Sequence, residues 1–310
     1  MPGDPSVSIV VPSRGGAGHL PRLFEALARQ SLDDWEAVVV LDGDVDDSSA
    51  VVRLAAKELP VRLVVFDDNQ GRPAALNAGF RAAKGDVLVR CDDDMVPGPN
   101  YVENHARAHE ERDVGVVGLV RNVYPDTSYA RAYGRAWDAR YRRDAYRVDP
   151  AETWRYWAGN CSVTRRLWER VGPYDTAFRS YGWEDVDWGY RLSRTGVPIV
   201  LDPRLETEHR GPAATTAARA QRAFYAGAAK RRFDSKHGMV PASGTQRSAW
   251  RSAVMGLQLG LDEKRVTRLG RAVDRAAMFL PRPLAHKAVA LVVEASSEAG
   301  QRISAAGDAI

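Results

Sequence analysis

The chain has 310 residues, 45% hydrophobic and 27% charged, with two cysteines and a formal charge of +4. These values suit a folded protein of one large domain or two, and they exclude a disordered, fibrous or disulfide-built chain. The charge is unevenly placed: residues 210–310 hold 17 Lys and Arg against 7 Asp and Glu, and residues 1–209 hold 27 against 33. A basic tail behind an acidic front points to an anionic partner, either a membrane surface or nucleic acid. The first six residues lack the basic start and apolar core of a signal sequence, and Ala288–Val293 is too short for a membrane helix. A cytoplasmic location is expected, with Cys91 and Cys161 as reduced core residues in apolar, strand-like runs.

In chain order, Val7–Pro12 reads as a buried strand, and Leu20, Leu23, Phe24 and Leu27 carry helical spacing over residues 20–30. Ala37–Leu41 is a second strand, and Ser48 or Ser49 can cap a helix built on Val51, Val52, Leu54, Ala55 and Leu59. Val61–Phe66, Pro73–Ala83 and Val87–Cys91 continue as strand, helix and strand. That alternation predicts a parallel sheet with helices on both faces, which binds ligands at the carboxyl ends of its strands. The acidic loops fall on that edge: Asp42 and Asp44 after the second strand, Asp67–Arg72 after the third, and Asp92-Asp93-Asp94 after the fourth.

Side chains alternate along an extended segment, so Asp92 and Asp94 can face one way and Asp93 the other, whereas a tight turn at Met95 would bring Asp93 in beside them. Two carboxylates on one side require a cation. A hard divalent ion, Mg2+ or Mn2+, accepts such oxygens together with substrate phosphates. There is neither GxGxxG nor GxxxxGK, so a nucleotide bound here is expected to be gripped through a metal and not a glycine cradle.

After Pro99 the spacing predicts a helix over 100–111, a strand over 114–123 and an amphipathic helix over 128–146. Six of the eight tryptophans lie between Trp137 and Trp188. Trp168, at a helical position, reads as core, whereas Trp157 and Trp183 stand beside glycines in loops, where an indole face can pack on a sugar. A helix from Thr164 to Val171 follows, and Glu184, Asp185 and Asp187 start another that runs to Thr195, where the helix dipole favours acids. His209 follows the last strand, Val197–Leu201, and can join the same edge as a metal ligand. Beyond it, residues 217–236 and 250–306 read as helices interrupted by Pro241, Pro281 and Pro283. Arg247, Arg251, Arg265, Arg268, Arg271 and Arg275 form a positive stripe that is either a solvated face or a seat for anionic lipid.

The ordered set SIVVPSR, VVVLDGD, NQGRPAALNAG, the DDD of residues 92–94, GNCSVTRRLWERVGPYD, YGWEDVDWGYRL and a late EHR resembles glycosyltransferase family 2, the inverting enzymes of GT-A fold. The resemblance covers roughly residues 6–212. It implies a Rossmann-like α/β nucleotide-diphospho-sugar transferase with a mixed sheet flanked by helices. A catalytic domain would span 1–212, with a nucleotide-sugar half (1–98) and an acceptor half (99–212), and a basic, mainly helical extension would span 213–310.

The activity implied is transfer of a sugar from a nucleoside-diphosphate sugar, UDP-sugars first, to a hydroxyl of a glycan, glycolipid or small molecule. The step is a base-assisted single displacement with Mn2+ or Mg2+ as cofactor. Under the resemblance Asp42 bonds the base with Asn69 and Arg72 nearby, and Asp92 and Asp94 form the DxD pair reaching ribose and metal. His209 is the late metal ligand, and Asp185 is the catalytic base with Glu184 and Trp183 beside the acceptor. The same motifs place Pro12, Arg14, Asp44, Gly71, Asn77 and Asp93 on the donor side, and Trp157 and Asn160 on the acceptor side.

LDGD stands where many members have DDGS. The absence of QxxRW argues against a processive synthase. The rivals are a retaining enzyme of the same fold and a sugar-nucleotide pyrophosphorylase, of whose glycine-rich loop Pro12-Ser-Arg-Gly-Gly16 is a faint echo. A carbohydrate- or nucleic-acid-binding protein is the non-enzyme rival, but it has no need of acidic loops on one edge. No nucleic-acid partner is expected, and the basic C-terminal helices suggest peripheral contact with the inner face of the membrane.

Overall fold

A computed structural model describes residues 4–179, 181–239 and 248–307, so Pro241 and Arg247 lie outside the described residues. The chain divides into two compact units, one of Met1–Val123, Arg142–Arg179 and Glu184–Gly211 and the other of Tyr124–Tyr141, Ser180–Trp183 and Pro212–Ile310. The sequence suggested a single boundary after residue 212. The second unit also takes two segments from inside the first.

In the first unit every residue of β1 (Val7–Ser13) and β2 (Trp35–Leu41) is buried, as unbroken apolar runs require of strands covered on both faces. They pair in parallel from Val7 with Trp35 to Ser13 with Leu41. β3 (Val61–Val65) joins β2, and β4 (Val87–Cys91) joins β1, both in parallel. Between them run α1 (Leu20–Leu27), α2 (Ser48–Ala55) and α3 (Arg72–Ala82). Successive residues of β2 serve two cores: Ala37, Val39 and Leu41 belong with Leu20, Leu23, Phe24 and Val52, while Val38 and Val40 pack on Ala75. Each fully buried Leu or Phe of α1 contributes about 1.5–3 kcal/mol, which fixes that helix without a side-chain cap.

The alternation argument holds only as far as β4. There β8 (Asn160–Thr164) pairs antiparallel with β4 and with β6 (Gly115–Val117), and β9 (Ile199–Leu201) closes the order β3-β2-β1-β4-β8-β6-β9. The sheet is mixed, and reversal of β8 brings its first residue, Asn160, opposite Cys91 at the carboxyl edge. Both cysteines are free and buried.

The single strand expected over 114–123 is two. At Gly118 a Cβ would overlap the Leu205 carbonyl and the Asn160 amide, and beyond this pinch β7 (Val120–Asn122) enters a second sheet. There β10 (Thr207–His209) lies parallel to β7 and antiparallel to β5 (Met95–Val96). His209 therefore sits within a strand, opposite both Met95 and Asn122. The cap of α2 also differs from expectation: Asp47 holds that position at φ 60°, and Ser48 and Ser49 are the first helical residues. α4 (Tyr101–Ala108), α6 (Arg165–Val171) and α7 (Glu184–Ser193) complete the unit.

In the second unit, a π-helical turn over Ala130–Gly134 leads into α5 (Arg135–Ala145), whose residues from Arg142 on belong to the first unit; the sequence predicts one regular helix from Ser128. The rest is α8 (Thr216–His237), α9 (Ala249–Gln258), α10 (Glu263–Ala276) and α11 (Arg282–Gly307). α8 and α11 pack antiparallel with backbones nearly touching, because a Cβ at Gly227 would strike the Ser297 carbonyl and one at Gly300 the Phe224 carbonyl. Ala220, Phe224, Val254, Val266 and Val292 form the core beside that seam. No helix among the described residues is long and apolar enough to cross a membrane.

Candidate active site

At the carboxyl edge of the first unit's sheet, the ends of β1, β2 and β4 surround a cavity of about 260 Å³. The end of β1 and the residue after it contribute Pro12, Ser13 and Arg14, β2 is followed by Asp42, and the loop leading into α3 brings Asn69, Gly71 and Arg72. Asp42 is buried, and its carboxylate accepts the Gln70 and Gly71 N–H groups at 2.6 and 2.9 Å. Asn69 accepts the same Gly71 N–H from its own side chain at 2.9 Å. Gly71 has φ 91°, a conformation closed to most side chains, so loop 69–72 is shaped for Asp42 to clamp. Arg179 reaches the Asn69 carbonyl at 3.3 Å and lines the same space.

All three acids after β4 line the cavity. The strand period, which separated Asp93 from its neighbours, ends at Cys91, and a tight turn from Met95 N–H to the Asp92 carbonyl (3.2 Å) gathers the three. Their partners differ. Asp92 receives Arg90 Nε at 2.9 Å, Asp93 receives the Ser13 hydroxyl, and Asp94 meets His209 Nε2 at 3.0 Å. Burial raises the Asp92 carboxyl, but Arg90 and Arg72 outweigh it and hold it below the usual range. Burial pushes Asp93 up to about 6 against the Ser13 hydrogen bond.

Asp94 and His209 are the pair that fits a divalent cation. Asp94 Oδ1 is buried with no hydrogen-bond partner. Asn122 Oδ1 faces His209 Nδ1 at 2.6 Å, and in the neutral ring with its proton on Nδ1 the Nε2 lone pair faces a carboxylate oxygen. Two acceptors so placed need a proton or a cation between them. Asp92, the third ligand expected from the sequence, is engaged by Arg90, and among the described residues no group of three or more His, Cys, Asp or Glu side chains is arranged around a common point. A bound ligand would have to supply the remaining oxygens.

Arg90 is the residue the sequence argument missed. It lies in an otherwise apolar strand with no exposed side-chain surface, its Nη1 donates to Asp185 Oδ1, and its Nε serves Asp92. A charge in the middle of a buried strand must be paired, and that was the available signal. Burial pushes the Asp185 carboxyl up against the opposing pull of Arg90. Burial and the adjacent Asp185 push Glu184 up to about 7. Glu184 Oε1 stands 3.6 Å from Arg72, and its Oε2 is buried without a partner.

Several expected contacts are structural instead. Asp44 caps α2 by accepting the Ser49 N–H at 3.3 Å and lies outside the cavity. Asn77 is buried and holds Tyr174 by both backbone groups, at 2.7 and 2.8 Å. Asn160 is also buried, giving its amide to the Leu205 carbonyl at 2.8 Å and accepting from Tyr101 at 3.0 Å. Trp157 is 2% exposed, stacks on Trp188 at 4.9 Å and donates to the Tyr174 hydroxyl, so it is core. Trp183 belongs to the second unit, where its half-buried ring packs 5.0 Å from Phe233 at a left-handed φ of 70°.

A mixed sheet of this order, with an acidic cluster and guanidinium groups around a cavity on its carboxyl edge, has the GT-A architecture of nucleotide-sugar transferases. The chain belongs to glycosyl transferase family 2, whose family profile matches residues 8–172. It is 30% identical over 226 residues to validoxylamine A glucosyltransferase of Streptomyces hygroscopicus subsp. jinggangensis (strain 5008), covering 64% of this chain and 53% of that protein. The chain thus spans about half the length of the curated relatives it matches. Among solved structures, a mannosyltransferase from Pyrobaculum calidifontis, in complex with GDP-Man and Mn2+, superposes with a TM-score of 0.59 at 19% identity. It covers 96% of this chain and 88% of its own. S. aureus TarS in complex with UDP superposes with a TM-score of 0.55 at 14% identity, covering 97% and 92%.

Proposed function

We propose that the protein transfers a sugar from a nucleoside-diphosphate sugar, a UDP-sugar in the first instance, to a hydroxyl acceptor with inversion at the anomeric carbon. The observation that carries this is the buried Arg90, which holds a cavity-lining carboxylate, Asp92, and the carboxylate of Asp185 at the head of α7. In this reading Asp42 and loop 69–72 receive the base, and Arg14, Arg72 and Arg179 face the diphosphate. A divalent ion, Mn2+ or Mg2+, would be held by Asp94 and His209 and would neutralise charge on the departing diphosphate.

Asp185 takes the proton of the attacking hydroxyl. Arg90 occupies its Oδ1, and its Oδ2 makes no hydrogen bond among the described residues. A carboxyl pushed up by burial is a better base than an exposed one, provided it is ionised at the working pH. Glu184, close by with a raised pKa, keeps a second negative charge from building up beside it below neutral pH. In this reading the step is a single displacement: the O–H bond of the acceptor is broken toward Asp185 as the new glycosidic bond forms and the diphosphate leaves.

The test is a donor screen read by nucleoside-diphosphate release, with product configuration from NMR. A productive donor, release that depends on Mn2+ or Mg2+, and an inverted product are expected. Calorimetry that finds no metal-dependent binding of UDP or GDP would remove the donor site, and a retained configuration would assign the rival mechanism.

A further inference from the structure

We propose that the outer face of α10, with the corner joining it to α11, docks on a membrane surface rich in anionic lipid. Lys264, Arg268, Arg271 and Arg275 follow one another at steps of four, three and four residues, and all are exposed. At 3.6 residues per turn those steps confine the four side chains to about 60° of arc. Val266, Leu269 and Val273 lie on the opposite side and pack into the core of the unit. The helix therefore spends its apolar side internally and turns a line of cations outward.

Those cations are uncompensated. Arg251 pairs with Glu298 at 2.9 Å and Arg265 with Asp262 at 3.5 Å, so two members of the stripe anticipated from sequence are occupied. Lys264, Arg268, Arg271 and Arg275, with Arg282 and Lys287 beyond the corner, have no ion-pair partner among the described residues. The one acid between Lys264 and Val293 is Asp274, and its carboxylate turns inward to the Thr216 and Ala217 N–H groups at 2.7 and 3.3 Å.

The line of charge then runs into an apolar knob. After Ala276 the backbone continues in turns, Met278 N–H on the Arg275 carbonyl and Phe279 N–H on that of Ala276. Met278 and Phe279 stand three and four residues past Arg275, in the turns that follow the end of α10. They are 60% and 86% exposed and Leu284 is 53% exposed; Pro281 stands between the turns after α10 and the start of α11, and Pro283 lies in the first turn of α11.

Anionic lipid satisfies both features at once, phosphates for the guanidinium groups and the acyl boundary for the ring and thioether. A nucleic-acid backbone would meet the cations and leave Phe279 in water. A second copy of the chain would need an acidic patch with an apolar centre to match.

The full chain is tested by flotation with vesicles of phosphatidylcholine alone and of phosphatidylcholine with one-third phosphatidylglycerol. Binding is read without turnover, so its failure leaves the proposed reaction untouched, and the reverse holds. The protein should float with the anionic vesicles only, and less at high salt. Met278→Ser with Phe279→Ser, and separately Arg268→Glu with Arg271→Glu, should each weaken binding about tenfold or more, with melting temperature unchanged because these side chains are exposed. Leu259→Ser, which removes a 67% exposed side chain near the other end of α10, should leave binding as it was. No flotation, equal flotation on neutral vesicles, or a double serine variant that loses self-association and keeps vesicle binding would overturn the proposal.

Discussion

Arg90 and Asp185 form an ion pair in which the guanidinium has no exposed surface, and the same planar group holds Asp92 through Nε at 2.9 Å. A guanidinium presents its donors in a rigid fork, so the relative placement of the two carboxylates is set by one side chain. Arg90→Met is expected to cost about 3 kcal/mol in urea unfolding, because two part-buried carboxylates lose the buried cation they share. Arg90→Lys keeps the charge without the fork, so it should recover part of the stability while leaving kcat low. A loss under about 1 kcal/mol for the Met variant would show that the pair is not what it looks like.

Glu184 gives stability a definite pH dependence. Its folded pKa of about 7 lies above the ordinary carboxylate value, so between the two the folded protein holds a proton that the unfolded chain has released. Stability from this group is full below the ordinary value and is lost as pH rises toward 7. Glu184→Gln should therefore gain in melting temperature relative to the parent at pH 8 and show little difference at pH 4. Equal offsets at both pH values would contradict the raised pKa.

Asn122 was not foreseen, and its contact with His209 Nδ1 at 2.6 Å predicts a measurable effect on a residue it does not itself replace. Asn122→Ala should weaken Mn2+-dependent nucleotide binding by roughly 10–100-fold, the usual effect of removing the partner of a ligating histidine. Asp94→Ala should abolish it. Calorimetry with UDP and Mn2+ reads both, and unchanged affinity in Asp94→Ala would remove the proposed metal site.

Asn77 and Asn160 carry the opposite expectation. Asn77→Ala leaves the Tyr174 backbone N–H and carbonyl buried without partners, a cost of about 1–3 kcal/mol for an unsatisfied group. Denaturant midpoints should fall while donor KM stays within about twofold, since a scaffold residue is felt in stability first. A large rise in KM with unchanged stability would return Asn77 to the donor site.

The first four strands and their acidic loops were legible because a parallel sheet covered on both faces writes itself as unbroken apolar runs with polar ends. Asp42, Arg72 and the acidic triplet fell on the cavity for that reason. What failed was anything set by pairing across distance. No periodicity announces that β8 runs backward, or that Asn122 and Met95 flank His209 from two sides. For the triplet, alternation and a tight turn at Met95 are both compatible with the sequence; the strand stops at Cys91 and the turn gathers all three acids. Trp157 stood beside a glycine as a ligand ring might, but Trp188 and Tyr174 already enclose it.

The two cysteines, Cys91 and Cys161, lie on adjacent strands of the central sheet immediately behind the acidic cluster. Burial pushes both thiols well above their ordinary pKa, so neither forms a thiolate in the closed sheet. Their reaction with an alkylating reagent is then gated by separation of β4 from β8. The rate of thiol labelling therefore reports opening of this edge, and a ligand that fills the adjoining cavity should slow it.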